Sequence, residues 1–319
     1  MPMNKEKLMI FLEFVEIRTK LASVMPMLIG FLWTAYHYQQ FNWLNSSVFA
    51  CAVLAFDMCT TAINNTVDYH KALNLEYKEQ ENVIGKYNLP FKKMISIILI
   101  LLGIAIIFSL VLVFLTDILL LGLGAICFVI GITYTFGPLP LSRSPFGEVF
   151  SGLTMGFGIF FLAIYMTMFP DLLTSTHEVG RVLINFNWLE TLLVFLMSIP
   201  LVCFIANIML ANNTCDLETD ITNQRFTLVY YIGRRNAVLL YQLLSLIPWI
   251  SWVLYIATGL LPIWALLTLP LIYVHYQSIK RFTAKQVKNE TFAEALKSFV
   301  LFSVMYLLVL VVELVIGLF

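Results

Sequence analysis

Two stretches of this 319-residue chain carry the same order of chemically competent side chains. They are Asn64-Asn65-Thr66-Val67-Asp68 and Asn212-Asn213-Thr214-Cys215-Asp216. Lys71, Asn74 and Glu76 follow the first, and Glu218, Asp220 and Arg225 follow the second. Asp57, Thr61, Asn64 and Asp68 recur at intervals of three or four residues, as do Asn212, Asp216 and Asp220, so each set falls on one face of a helix. Carboxylate and amide oxygens suit a hard cation such as Mg²⁺, which keeps part of its water shell and shares the rest with phosphate oxygens. Asp68, Asp216 and Asp220, with the amides Asn64, Asn65, Asn74 and Asn212, supply oxygens of this kind. Lys71 and Arg225 stand where they would take the charge of a bound anion. Of the 4 histidines only His70 is near, so zinc is not expected. The plainer reading of each residue alone is a helix cap or a solvated loop acid; it is the pairing of two matching clusters that favours a site.

The elements that position these residues are set by composition. Apolar residues make up 60% of the chain, charged residues 12%, and the mean hydropathy is +0.88. A soluble fold would have to expose most of that apolar surface, so the chain is expected to be an integral membrane protein. The formal net charge of zero argues against nucleic acid as a partner. The 5 cysteines form no C-x-x-C pair and mostly lie inside apolar runs, which reads as burial rather than disulfides. No cleaved signal peptide is expected after Lys5 and Lys7.

A spanning helix needs about 20 apolar residues. Nine runs qualify, at roughly 15–38, 44–67, 93–116, 118–136, 147–169, 189–211, 236–258, 261–278 and 297–318. Short turns at Asp117 and at Gly259 to Pro262 imply tight antiparallel hairpins. With the N-terminus in the cytoplasm, every lysine and arginine except Arg181 falls on the inner side, as membrane insertion favours. Both motif copies then sit at the cytoplasmic mouth, after the second and sixth runs, and the C-terminus lies outside. The four-run period between the copies predicts a duplicated four-helix bundle with one added helix, all α, forming a single membrane domain over 1–319. Asp57 lies deeper than the rest, where an ionisable group either lines a cavity or pairs with a neighbouring helix. Arg18 and Lys20 enter the first run from the motif side. The polar loop from Tyr77 to Leu89 is either a cover over the site or a plain connector.

These features resemble the UbiA superfamily of intramembrane aromatic prenyltransferases, and within it the MenA branch that prenylates 1,4-dihydroxy-2-naphthoate. The resemblance covers nearly the whole chain. It rests on Arg18-Thr19-Lys20-Leu21-Ala22-Ser23 with Pro26 and Gly30, and on Asn64, Asp68 and Asn74. It continues in Tyr134-Thr135-Phe136-Gly137-Pro138 with Gly147-Glu148-Val149. Its most specific part is Asn212, Asn213, Asp216, Asp220, Arg225, Thr227 and Leu228, followed by Gly233-Arg234-Arg235. The chain departs from the family pattern at Asn65 and Asn74, where acids are usual, and at Cys215, where a basic residue is frequent. These departures bear on how many Mg²⁺ ions bind.

The resemblance implies transfer of a polyprenyl group from its diphosphate to 1,4-dihydroxy-2-naphthoate, with loss of the carboxylate, giving demethylmenaquinone. It implies Mg²⁺ on Asp68, Asp216 and Asp220 with Asn64 and Asn212, and diphosphate charge taken by Arg225 and Lys71. Stabilising the departing diphosphate favours an allylic cation, which an apolar membrane cavity shields from water. Tyr134 and Glu148 are candidates for the acceptor side; the alternative for them is an interfacial tyrosine and a loop acid. Other aromatic acceptors, 4-hydroxybenzoate or haem, fit the same fold. A secondary transporter also uses duplicated bundles with intramembrane acids, but places them near the midplane on broken helices. Here the acids cluster at one membrane face, on helices expected to run unbroken. No role is assigned to Glu313.

Overall fold

The computed structural model describes residues 5–72, 75, 77–137 and 140–317, and the chain is almost entirely helical. Asn74, Glu76 and Pro138, named above, lie outside the described residues. The helices are α1 (Lys5–Phe14), α2 (Leu21–Trp33), α3 (Trp43–Lys71), α4 (Val83–Lys86), α5 (Phe91–Leu115), α6 (Leu119–Thr135), α7 (Gly147–Ser151) and α8 (Ile159–Met168). They continue as α9 (Trp188–Cys215), α10 (Leu217–Thr222), α11 (Leu228–Ala257), α12 (Leu271–Ala284) and α13 (Ala293–Ile316).

Among the described residues, six segments are long and apolar enough to cross a membrane: α3, α5, the continuous stretch Gly147–Met168, α9, α11 and α13. The other three expected runs are helical but shorter or interrupted. The first gives α2 plus a π turn at Thr34–Tyr38. The fourth gives α6, and the eighth begins with a 3-10 segment at Ile263–Thr268 before α12. The outward faces are apolar, with Phe114 and Leu267 almost fully exposed, as a lipid-facing surface requires. The chain is a multi-pass membrane protein.

Lipid is as apolar as leucine, so helices in it associate through close packing and interhelical hydrogen bonds. Gly152 and Gly156 supply the first. A Cβ at Gly152 would lie 2.8 Å from the Val202 carbonyl oxygen, and one at Gly156 would lie 2.6 Å from the Val202 backbone. The π turn Gly152–Gly158 joins α7 to α8 at this approach. Asn207 supplies the second: its Nδ2 donates to the Tyr241 carbonyl at 3.0 Å and to Ser245 Oγ at 2.9 Å, tying α9 to α11. Trp252, Phe302, Tyr306, Phe160 and Trp33 fill the main core between α2, α8, α9, α11 and α13. α3 packs along α5, and α9 along α11, so the second and third long helices of each half make the same neighbours. α9 runs without interruption from Trp188 to Cys215, through Pro200. At the end of the bundle remote from the motifs, the segment between the fifth and sixth apolar runs forms an antiparallel hairpin, β1 (Leu173–Glu178) and β2 (Arg181–Phe186). Asp117 anchors it, accepting from Ser175 N at 2.6 Å and Ser175 Oγ at 2.7 Å.

Candidate functional site

Both asparagine motifs end a long helix, and α3 and α9 bring them to the same end of the bundle. The polar stripe on α3 divides in two. Its deeper half is consumed internally. The Lys20 ammonium, 4% exposed, donates to Asp57 Oδ1 at 2.7 Å, to the Asp57 carbonyl at 3.2 Å and to Thr61 Oγ1 at 2.5 Å. Ser23 Oγ donates to the other Asp57 oxygen. Asp57 is therefore paired with the neighbouring segment, and Lys20 has no donor left for a ligand. Arg18, which enters beside it, is exposed.

The shallower half faces other charges. Asp68 Oδ1 meets Arg143 Nη2 at 3.1 Å. On the second motif, Asp216 Oδ2 meets Lys288 Nζ at 2.5 Å, and Lys288 also donates to Asn212 Oδ1. Asp220, 4% exposed, has Arg225 Nε at 3.4 Å from Oδ1, a charge contact without hydrogen-bond geometry; the Arg225 amide donates to the Asp220 carbonyl at 2.8 Å. Asp220 lies within electrostatic reach of Asp216, Lys288 and Asp68, which joins the two motifs in one field. Its burial, reinforced by the Asp216 and Asp68 charges and opposed by Arg225, pushes its carboxyl up to about 6.

Lys288 and Arg143 are the residues the sequence reading counted only as positive-inside charges. Lys288 sits in the loop before α13, distant in sequence from the motif it meets, so no local pattern points to it. Arg143 lies in the 3-10 turn Leu141–Arg143 inside the stretch of family resemblance, and that position is the one available signal. Lys71 is exposed at the end of α3 and makes no ion pair with any described residue. Glu16 was also passed over. It adopts left-handed backbone angles (φ 48°, ψ 60°) and lies within reach of Asp68, Lys20 and Lys288.

The second asparagine of each motif turns away from the acids. Asn65 Nδ2 donates to the Phe14 carbonyl at 2.9 Å and also serves the Glu16 carboxyl, and its own carbonyl accepts from Asn82 Nδ2 at 3.1 Å. Asn82 thereby draws part of the loop expected between Tyr77 and Leu89 onto α3, where that loop forms a π turn (Tyr77–Glu81) and α4. Asn213, fully buried, donates from Nδ2 to Glu148 Oε1 at 2.9 Å. The Tyr134 hydroxyl reaches the Gly147 carbonyl at 3.4 Å.

The donor set fits a hard cation. It is all oxygen, and Asp220 Oδ2 is buried without a hydrogen-bond partner. Among the described residues no three metal-ligating side chains of the His, Cys, Asp and Glu type stand together, and Asp68, Asp216 and Asp220 are each paired with a basic side chain. Acids paired with bases across a shared field suit a ligand that carries both signs of charge, a cation together with an anion.

The model of the UbiA prenyltransferase family matches residues 23–312. A relative in Bacillus subtilis (strain 168), a 1,4-dihydroxy-2-naphthoate octaprenyltransferase, is 27% identical over 273 residues, covering 85% of this chain and 80% of that protein. Among solved structures, a UbiA homolog from Aeropyrum pernix K1 in its apo form superposes with a TM-score of 0.65 at 15% identity, over 95% of this chain and 99% of that one. A UbiA homolog from Archaeoglobus fulgidus bound to DMAPP and Mg²⁺ superposes with a TM-score of 0.64 at 11% identity, over 95% of this chain and 98% of that one. At these identities the structural likenesses show a shared fold.

Proposed function

Because the chain belongs to the UbiA prenyltransferase family, we propose that it transfers a polyprenyl group from polyprenyl diphosphate to 1,4-dihydroxy-2-naphthoate, releasing diphosphate and CO₂. The observation that carries this reading is the convergence of three acid–base pairs, Asp68–Arg143, Asp216–Lys288 and Asp220–Arg225, from both halves of the chain at one end of the bundle. The naphthoate acceptor is taken from the Bacillus subtilis relative. We read the fold as nine crossings in one membrane domain, with the N-terminus and this end of the bundle in the cytoplasm and the C-terminus outside, on the distribution of lysine and arginine.

Asp68, Asp216 and Asp220, with Asn64 and Asn212, are the residues that would hold Mg²⁺. When bound, the metal would supply positive charge to the diphosphate oxygens and so lower the cost of their departure. The chain's own cations do the same from the other side. Arg143, Lys288 and Arg225 rest on the acids and are placed to turn to a diphosphate, with Lys288 in reach of both Asn212 and Asp216. Lys71 adds exposed positive charge at the rim. Burial of Asp220 and Asn213 keeps the floor of the site away from water, which protects a reactive allylic group. The unbroken α3 and α9, with acids at one end, argue for the enzyme over a transporter, whose sites lie at mid-depth on interrupted helices.

The test is product mass spectrometry on membranes containing the protein, supplied with prenyl diphosphates of several lengths and a panel of aromatic acceptors. Prenylated naphthoquinol lacking the carboxylate, formed only with Mg²⁺ present, is the expected product. Selective prenylation of 4-hydroxybenzoate or haem would replace the acceptor, and absence of any prenylated product would overturn the reading.

A further inference from the structure

Among the described residues, five of the twelve buried polar atoms without a hydrogen-bond partner belong to one region. Glu148 Oε2, Asn213 Oδ1, Asp220 Oδ2, Arg225 Nε and Thr227 Oγ1 all belong to the second half of the motif end. A buried unpaired polar atom costs about 1–3 kcal/mol, so a fold that keeps several together needs a reason, and an arriving ligand is one. Glu148 differs from the other acids here. Asp216 has Lys288, Asp220 has Arg225 and Glu218 has Arg234. Glu148, 2% exposed, has the neutral amide of Asn213 on Oε1 and nothing on Oε2. A buried carboxylate held by an amide, with no cation beside it, keeps its proton affinity.

Tyr134 closes this corner. Its hydroxyl makes a long contact, 3.4 Å, to the Gly147 carbonyl and a further contact to the Ser151 side chain, and the ring lies within electrostatic reach of both Glu148 and Arg225. A weak contact of that length is easily exchanged for a ligand hydroxyl. Tyr134 itself is unsuited to take a proton, since a phenol loses its own only near pH 10.

We propose that Glu148 is the proton-accepting group for the hydroxyl of the aromatic acceptor, held in place by Asn213, with the acceptor entering where Tyr134 now rests on Gly147. The proposal rests on the prenyl-transfer reading above. The acceptor O–H bond breaks as a bond from Oε2 to the proton forms. The released electron pair feeds the ring, whose carbon bonds to C1 of the prenyl group. The C1–O bond of the prenyl diphosphate breaks, and its electron pair leaves with diphosphate. Where the attacked carbon bears a carboxylate, that carbon–carbon bond then breaks and CO₂ departs. Its electron pair restores the aromatic ring, and the oxygen recovers its proton from Glu148, which is left ionised for the next turnover.

The experiment compares wild type with Glu148→Gln on two acceptors: a hydroxylated naphthoate, and the same acid with the reacting hydroxyl converted to a methyl ether. Glu148→Gln is expected to lower kcat about 100-fold on the hydroxyl acceptor, with KM for the prenyl diphosphate unchanged. On the ether, which has no proton to give, the two proteins should be equally slow. Glu148→Asp should recover part of the rate. Asn213→Ala, which keeps the carboxylate and removes its clamp, gives the same comparison if Glu148→Gln does not insert, with a loss of about tenfold on the hydroxyl acceptor alone. Wild-type rates in either variant, or an equal loss on both acceptors, overturn the proposal. A wild-type protein that prenylates no aromatic acceptor overturns the transfer reading and this inference with it.

Discussion

Asp57 and Asp68 stand on the same face of α3, yet their surroundings assign them different tasks. Asp57 and Lys20 neutralise each other in a buried pair, with side-chain exposures of 14% and 5%. Removing one member strands the other charge, so Asp57→Ala should lower stability by about 3–5 kcal/mol, read as a fall in Tm of the detergent-solubilised protein. Replacing both by apolar residues should restore most of it. Asp68 and Asp216 instead pair with Arg143 and Lys288 at the mouth. Asp68→Ala or Asp216→Ala should leave the protein inserted and reduce prenyl transfer by about 100-fold or more, with near wild-type Tm for the more exposed Asp216 pair and some loss of Tm for Asp68, whose pair with Arg143 is shielded. Full activity in both variants would remove these residues from the site. Lys288→Ala should raise KM for the prenyl diphosphate by about tenfold, since a charge-assisted contact to the anion is lost. Asp220 adds a pH dependence. Burial pushes its carboxyl up to about 6, above the ordinary aspartate value of 3.8. The folded state therefore holds the proton more tightly, and this group's contribution to stability is complete below pH 3.8 and is lost as pH rises through about 6. With a chelator present, Asp220→Asn should flatten the fall in Tm across that window; an unchanged slope would show that another group sets it.

At the scale of elements, the turns carry as much information as the helices. Gly233 has φ +76° and breaks the helical path inside α11, so Arg234, just beyond the break, can reach Glu218 of α10 at 2.8 Å. A side chain there would strain the backbone whatever space it found. The Gly152–Gly156 approach to α9 is a second such element, because no residue larger than glycine fits against Val202. Asp117 is the third. Four donors from the α5–α6 turn and β1 reach its carboxylate. They hold its pKa below the ordinary carboxylate value against the opposing effect of burial. Its stabilisation is present at neutral pH and lost as pH falls through the native value. Asp117→Ala should free the hairpin, and trypsin should then cut at Arg181 in intact proteoliposomes from the exposed side while the wild type resists. Equal resistance would mean that the hairpin is held by other contacts.

For the whole molecule, the repeat seen in the sequence reappears as a repeat of neighbours. In each half the helix that ends in Asn-Asn-Thr packs along the next long helix. Its first asparagine lies on the face of the acids, and its second turns to an N-terminal segment of the same half. Those segments present Glu16 in one half and Glu148 in the other, so the two halves place a glutamate in comparable positions. They do not treat it alike. Glu148 is 2% exposed and unpaired at Oε2, whereas Glu16 is less buried and shares the field of Lys20 and Lys288. A duplicated scaffold thus supports a site whose two sides differ.

The sequence by itself determined that this is a helical membrane protein, that its polar chemistry lies at one end, and that the motif acids share a helix face. Hydropathy and helical periodicity are local quantities, so they survive without knowledge of the fold. The same locality explains where the reading stopped. It counted nine apolar runs but could not tell which would bend: α2 gives way to a π turn, and α12 is preceded by a 3-10 segment. It could not separate Lys20, consumed by Asp57, from Lys288, poised on Asp216, because an ammonium's role depends on which carboxylate folding brings to it. Tertiary structure alone decided that Asn65 and Asn213 face away from the acids, that Arg143 and Lys288 belong at the mouth, and that Glu148 is held by an amide rather than by a cation. Each of these is a contact between segments far apart in the chain, and only packing brings such segments together.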